Sequence, residues 1–175
     1  MFTSGREEGN RAGARRRMRV FRKIEAKDNA AMAELIRSTL KKCKLDIPGT
    51  AYFDEGLDRL SEVYDCPGAG YYVLEDAEGS VVGGIGYAKL DFRKDTAELQ
   101  KLYLDERQRG SGCGYEMIRF IEERMREDGY RYAYLETHDN LPAAIHIYKK
   151  CGYAQIERPA EIVHSTMTRF YCKSL

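Results

Sequence analysis

The chain has 175 residues, 43% of them hydrophobic and 33% charged, with a formal net charge of +1. That suits a single globular domain with a proper core, and two domains would be a squeeze. The near-zero charge gives no general attraction to nucleic acid or anionic membranes, so a small-molecule partner is favoured over a polyanion.

Cys43, Cys66, Cys113, Cys151 and Cys172 lie far apart with no C-x-x-C pair. This fits neither a zinc site nor a disulfide framework and points to a reducing cytoplasm. No apolar run approaches the roughly 18 residues of a membrane helix.

Residues 1–17 are rich in Gly, Ser, Glu and Arg, with Phe2, Ala12 and Ala14 almost their only apolar side chains. Nothing there offsets the entropy of ordering, so disorder is expected. Arg15, Arg16 and Arg17 read either as a weak nucleic-acid arm, offset by Glu7 and Glu8, or as part of an extension upstream of a natural start at Met18. Residues 18–175 carry the domain.

Val20 to Ile24 reads as a first strand, and Asp28 caps a helix with Ala31, Met32, Leu35, Ile36 and Leu40 on its apolar face. Pro48 and Gly49 open a loop carrying Thr50, Ala51, Tyr52 and Phe53. A second, short helix then places Leu57, Leu60, Val63 and Tyr64 on one side. Tyr71–Leu74 and Val81–Leu90 form a hairpin about Glu78-Gly79, and Asp91–Asp95 turns into the next strand.

The stretch from Glu98 to Met125 organises the chain. Leu99, Leu102, Tyr103 and Leu104 make an apolar run of strand length, broken by Asp105, Glu106, Arg107 and Gln108. Arg109, Gly110, Ser111, Gly112, Cys113 and Gly114 follow, and then Met117, Ile118, Ile121 and Met125 recur at helical spacing. Glycines at a helix start let the backbone approach a ligand, and their amides with the first helical amides form an anion-binding nest. A phosphate-bearing ligand is expected at residues 109–114. The Walker A pattern fails because Tyr115 and Glu116 follow Gly114, and the dinucleotide fingerprint fails because the glycines are spaced G-x-G-x-G.

What remains is R-x-x-G-x-G, formed by Arg109, Gly112 and Gly114, which resembles the acetyl-CoA pyrophosphate loop of the GNAT superfamily of N-acetyltransferases. The resemblance extends upstream to Glu98-Leu99-Gln100-Lys101-Leu102-Tyr103-Leu104, similar to the family's central strand. Downstream it takes in Tyr134-Leu135-Glu136-Thr137, Asn140, Ala144, Tyr148, Gly152 and Tyr153, similar to its last motif region. It covers the C-terminal half tightly and the N-terminal half by its order of elements. Two departures are Gln108, where an aromatic residue is common, and Ser111, where a Lys often adds a phosphate contact. The fold implied is α/β of α+β type: a mixed, mainly antiparallel sheet of six to seven strands with about four helices on both faces.

The resemblance implies an acetyl-CoA-dependent N-acetyltransferase acting on a primary amine by direct attack in a ternary complex. An alkylammonium is almost wholly protonated at neutral pH and must lose a proton before it attacks. Glu98 is the candidate base, directly or through a water, with Glu75, Glu136 and the acceptor itself as alternatives; the plainer reading is a strand carboxylate paired with a neighbour. Backbone amides at Leu102, Tyr103 and Leu104 would stabilise charge on the thioester oxygen, and the family resemblance gives this segment the pantetheine arm. Tyr148 is the candidate acid for the departing thiolate and a further cofactor contact; alone it reads first as a core aromatic, and the flanking Asn140 and Cys151-Gly152-Tyr153 reverse that reading. Asn140 is a helix N-cap, a pantetheine contact, or both. Cys113 reads more simply as a packing residue beneath the loop than as a reactive thiol.

In the family the acceptor pocket comes from the loop between the first two helices and the loop before the last strand, here Asp46–Phe53 and Pro159–Thr166. Tyr52, Phe53 and His164 are candidate lining residues, and Arg37 a candidate clamp for a carboxylate. The expected acceptor is a small-molecule amine, an amino acid or a close relative. A monomer or homodimer is expected, with no metal and no nucleic-acid or membrane partner. The competing readings are a non-catalytic acetyl-CoA sensor and a nucleotide or nucleic-acid binder.

Overall fold

The computed structural model describes residues 19–175, so the expectations for residues 1–17 and Met18 lie outside the described residues. The elements run β1 (Val20–Lys23), α1 (Asn29–Lys42), α2 (Leu60–Val63), β2 (Gly70–Glu75), β3 (Val81–Lys89) and β4 (Thr96–Leu104), followed by α3 (Cys113–Glu127), β5 (Tyr132–Thr137), α4 (Pro142–Lys150), β6 (Ala154–Ile156) and β7 (Arg169–Ser174). One seven-stranded sheet has the order β1-β2-β3-β4-β5-β7-β6. Its one parallel pairing is β4 with β5. This is the mixed, mainly antiparallel α/β architecture expected.

Both faces of the sheet are covered. On one, the α3 stripe of Met117, Ile118, Ile121 and Met125 is fully buried against Ala97, Leu99, Ala133 and Leu135 of β4 and β5. Each such side chain contributes about 1.5–3 kcal/mol by leaving water. On the other, Met32, Ile36 and Leu40 of α1 pack with Leu57, Leu60, Tyr64, Tyr71 and Val73. Alternation along each strand decides which residues go where. In β3, Ile85 and Tyr87 join the α3 core, while Gly84 and Gly86 lie under the ring of Tyr71 on the opposite face.

Two local expectations change. The second helix is a single turn, preceded by a 3-10 turn at Leu57–Arg59. Val63 is therefore 47% exposed rather than part of the core, while Leu57, Leu60 and Tyr64 are buried. Asp28 sits at the N-cap of α1 but makes no side-chain cap bond. Its carboxylate instead accepts the Glu25 amide and both arms of the Arg22 guanidinium.

The sheet is irregular where it matters. β4 pairs with β5 only at Thr96, Ala97 and Glu98, opposite Tyr132, Ala133 and Tyr134. From Leu99 onward the β5-facing edge of β4 has no strand partner among the described residues. On its other edge, Gly84 pairs with Tyr103 and Gly86 with Gln100, which leaves one extra residue in β4. Lys101 takes up the bulge with φ +50°. The bulge shifts the alternation, so that Glu98, Gln100 and Tyr103 share the α1–α2 face while Leu102 and Leu104 return to the α3 face.

Candidate active site

The site lies where β4 and β5 part. Immediately beyond β4, Asp105 caps a 3-10 turn at Glu106–Gln108 by accepting the Arg107 amide, and the chain then enters the glycine-rich turn. Gly112 is the N-cap of α3 in a left-handed conformation (φ +83°), with no side-chain cap bond. The amides of Gly110, Gly112, Cys113, Gly114 and Tyr115 have no hydrogen-bond acceptor among the described residues. Five free donors at the positive end of a 15-residue helix form an anion cradle.

The glycines divide by role. Space around Gly110 and Gly112 is open, whereas a Cβ on Gly114 would meet Ile147 Cδ1 of α4 at 2.7 Å. The first two leave room for a ligand; the third lets two helices approach. Arg109 is exposed at the rim, 3.5 Å from Glu106. The Ser111 hydroxyl is spent locally, on the Gln108 carbonyl and the Cys113 sulfur. Cys113 is 1% exposed and packs beneath the loop.

Leu102, Tyr103 and Leu104 lie on the unpartnered length of β4. Tyr148, on α4, is buried with Tyr153 and Tyr171, ring centroids 5.9 and 6.4 Å away. Its hydroxyl makes no hydrogen bond to a described residue, and burial raises its pKa above that of an ordinary phenol. It therefore holds its proton at neutral pH, as a general acid must.

Glu98 lies on the other face of the sheet, at the last position where β4 pairs with β5, partly buried. Burial pushes its carboxyl upward. The Gln100 amide, which donates to it at 2.6 Å, opposes that shift, the Glu136 carboxylate adds to it, and Lys101 opposes it. Lys101 is itself paired with Asp54 at 2.6 Å. Glu136, on β5, accepts from the Tyr134 hydroxyl at 3.1 Å and from the Ser165 hydroxyl at 2.8 Å. Neither Glu98 nor Glu136 has a salt-bridge partner among the described residues. From the sequence Glu136 is only an alternative base and Gln100 only a member of the strand motif; the place of Gln100 two residues along the strand from Glu98 is what puts the two side chains on one face.

The two expected acceptor loops do meet. Thr166 Oγ1 donates to the Pro48 carbonyl at 2.9 Å. Tyr52 is partly buried in the α1 core, its ring 5.0 Å from that of Phe53, which is 58% exposed; His164 is exposed. Two expectations are corrected. Both arms of the Arg37 guanidinium are taken by the Asp58 carboxylate at 2.7 Å each, so no fork is left for a substrate carboxylate. Asn140 does not cap α4, whose N-cap is Leu141 with Pro142 following; its side chain instead donates to the Cys43 carbonyl at the end of α1, 3.0 Å away.

The chain thus has a split sheet beside a helix-terminal cradle, and comparison with known proteins gives its family. Residues 30–153 match the model of the acetyltransferase (GNAT) family, and the chain belongs to that family. It is 38% identical over 140 residues to the uncharacterised N-acetyltransferase YjgM of Escherichia coli K12, covering 79% of this chain and 83% of that protein. An acetyltransferase of the GNAT family from Staphylococcus aureus Mu50 superposes with a TM-score of 0.78 at 19% identity, covering 90% of this chain and 99% of that one. A PaiA N-acetyltransferase from Thermoplasma acidophilum, solved in complex with coenzyme A, gives 0.69 at 16% identity, covering 90% and 99%.

Proposed function

We propose that residues 18–175 form an acetyl-CoA-dependent N-acetyltransferase of small primary amines. The observation that carries this reading is the cradle of unbonded amides from Gly110 to Tyr115, beside the open edge of β4. The residues fit the donor: amides and the helix terminus for its phosphates, with Arg109 at the rim, and the free strand edge at Leu102–Leu104 for its amide-bearing arm. Bound there, acetyl-CoA supplies an activated acetyl thioester.

Glu98 takes the proton from the acceptor ammonium, directly or through a water, and Tyr148 gives its hydroxyl proton to the departing sulfur. The acceptor side bears two carboxylates, Glu98 and Glu136, without a cation partner, and Arg37 is engaged elsewhere. Amines that are cationic in water are thereby favoured, and an amino acid's carboxylate has no clamp at Arg37. The five free thiols support a cytoplasmic setting.

A calorimetric titration with acetyl-CoA, on the parent and on Gly112→Glu, tests the reading. The variant places bulk and negative charge in the cradle. Binding in the parent and its loss in the variant are expected; a parent that does not bind overturns the proposal.

A further inference from the structure

Glu98 belongs to a chain of three side chains. Gln100 Nε2 donates to Glu98 Oε2 at 2.6 Å, and Gln100 Oε1 accepts from the Tyr64 hydroxyl at 2.7 Å. Tyr64, at the end of α2, is 3% exposed. Its ring lies 5.2 Å from that of Tyr71 and rests over β3, where a Cβ on Gly86 would come within 3.2 Å of it. The hydroxyl is thus held in one place.

The chemistry of the three groups permits one ordering. An ionised carboxylate only accepts, so the amide must turn its NH2 toward Glu98; its oxygen then meets Tyr64, which must donate. Burial raises the Tyr64 phenol above its usual value, so the proton stays. A turned amide would set the Gln100 oxygen against the Glu98 oxygen and leave the Tyr64 proton facing an NH2 group. Tyr64 therefore reaches Glu98 through the orientation of one amide.

We propose that Gln100, its amide locked by Tyr64, is the positioning residue for Glu98: it holds Oε2 and leaves Oε1 as the oxygen free to take the acceptor's proton. The inference rests on Glu98 being the base. The groups that bear on the Glu98 carboxyl are Tyr64 after α2, Gln100 and Lys101 on β4, and Tyr134 and Glu136 on β5, with Ser165 from the β6–β7 connection acting on Glu136. Gln100 gives the largest downward pull among them. Without it, Glu98 holds its proton to higher pH.

The test is a carbon-13 NMR titration of the glutamate carboxyls in the full chain, the Glu98 resonance being the one absent from Glu98→Gln. In Gln100→Leu the Glu98 titration is expected to move up by about one pH unit, the scale of a hydrogen bond to a charged group. Gln100→Met, which keeps the side-chain length, gives the same reading if the Leu variant does not fold. Tyr64→Phe moves it in the same direction by less, and the double variant matches the Gln100 variant alone, because Tyr64 acts only through the amide.

An unmoved Glu98 titration in the Gln100 variants, or additive shifts in the double variant, overturns the inference. Failure of the base reading looks different. Glu98→Gln would then keep the parent's rate of thiol release from acetyl-CoA with whichever of a panel of primary amines the parent acetylates, while the titration shift persists.

Discussion

The hydroxyl of Tyr71 on β2 donates to the backbone carbonyl of Lys101 on β4 at 2.9 Å, reaching across the whole width of β3. The ring crosses where Gly84 and Gly86 leave the strand bare; a Cβ on Gly86 would stand 2.5 Å from Tyr71 Cδ2 and 3.0 Å from the Gly70 carbonyl. The carbonyl it satisfies belongs to the bulged residue that re-aims β4 toward the site. Tyr71→Phe is expected to cost about 1–2 kcal/mol in urea unfolding, for a partly buried acceptor left bare. Gly86→Ala is expected to cost about 1–3 kcal/mol through overpacking against a ring and a backbone that cannot retreat. Equal stability of Gly86→Ala and the parent would refute the crossing.

The order of elements was legible because β2 to β4 read as apolar runs bounded by turn residues, and α1 and α3 as apolar residues at helical spacing. The cradle was legible too, since glycines before an amphipathic helix state their purpose locally. The bulge was not. Lys101 has no preference for positive φ, and what holds it there is a tyrosine 30 positions away with two small residues between. Arg37 looked free for the same reason, because nothing near it in the chain announces Asp58. The distinction between open Gly112 and packed Gly114 likewise depends on where α4 comes to rest.

The β6–β7 connection is tied by adjacent residues to opposite walls of the proposed acceptor cleft, Ser165 to Glu136 and Thr166 to Pro48. Thr166→Val keeps the shape and removes the donor. Since the bond is exposed, the stability change should stay within about 1 kcal/mol. The loops lose their latch, so KM for the acceptor amine is expected to rise several-fold while acetyl-CoA affinity by calorimetry stays at the parent value. A change in acetyl-CoA affinity instead would place the latch in the donor site.

Arg22 ties β1 to both the start of α1 and β2, donating to Asp28 at 2.6 and 2.9 Å and to Glu75 at 2.5 Å. Asp28 is 4% exposed, and the guanidinium holds its carboxyl below the ordinary value. A depressed folded pKa contributes stability that is present above the unfolded value and lost as pH falls through the folded one. Asp28→Ala should therefore cost about 2–3 kcal/mol at neutral pH. The difference from the parent should shrink as urea titrations are taken into the acid range where Asp28 is protonated.

Glu98 has the opposite sign. Its carboxyl is raised by burial, and Glu136 adds to the shift, so between the unfolded and folded values the native chain binds more protons than the unfolded one, and stability falls as pH rises through that window. Ionising the Glu98 carboxyl is thus a cost the fold carries. Glu98→Gln removes the charge, keeps the shape, and can still accept from the Gln100 amide. It is expected to raise Tm at neutral pH, with the gain fading as pH drops below the ordinary carboxylate range. Turnover should fall by about 10²- to 10⁴-fold, the usual worth of a general base. The same field sets the acidic limb of the parent's pH–rate profile above the usual carboxylate range. Glu136→Gln, which removes a neighbouring charge, should bring that limb down. A limb that rises, or a Glu98→Gln protein less stable than the parent at neutral pH, would mean that Glu98 is held by a favourable partner rather than strained by its surroundings.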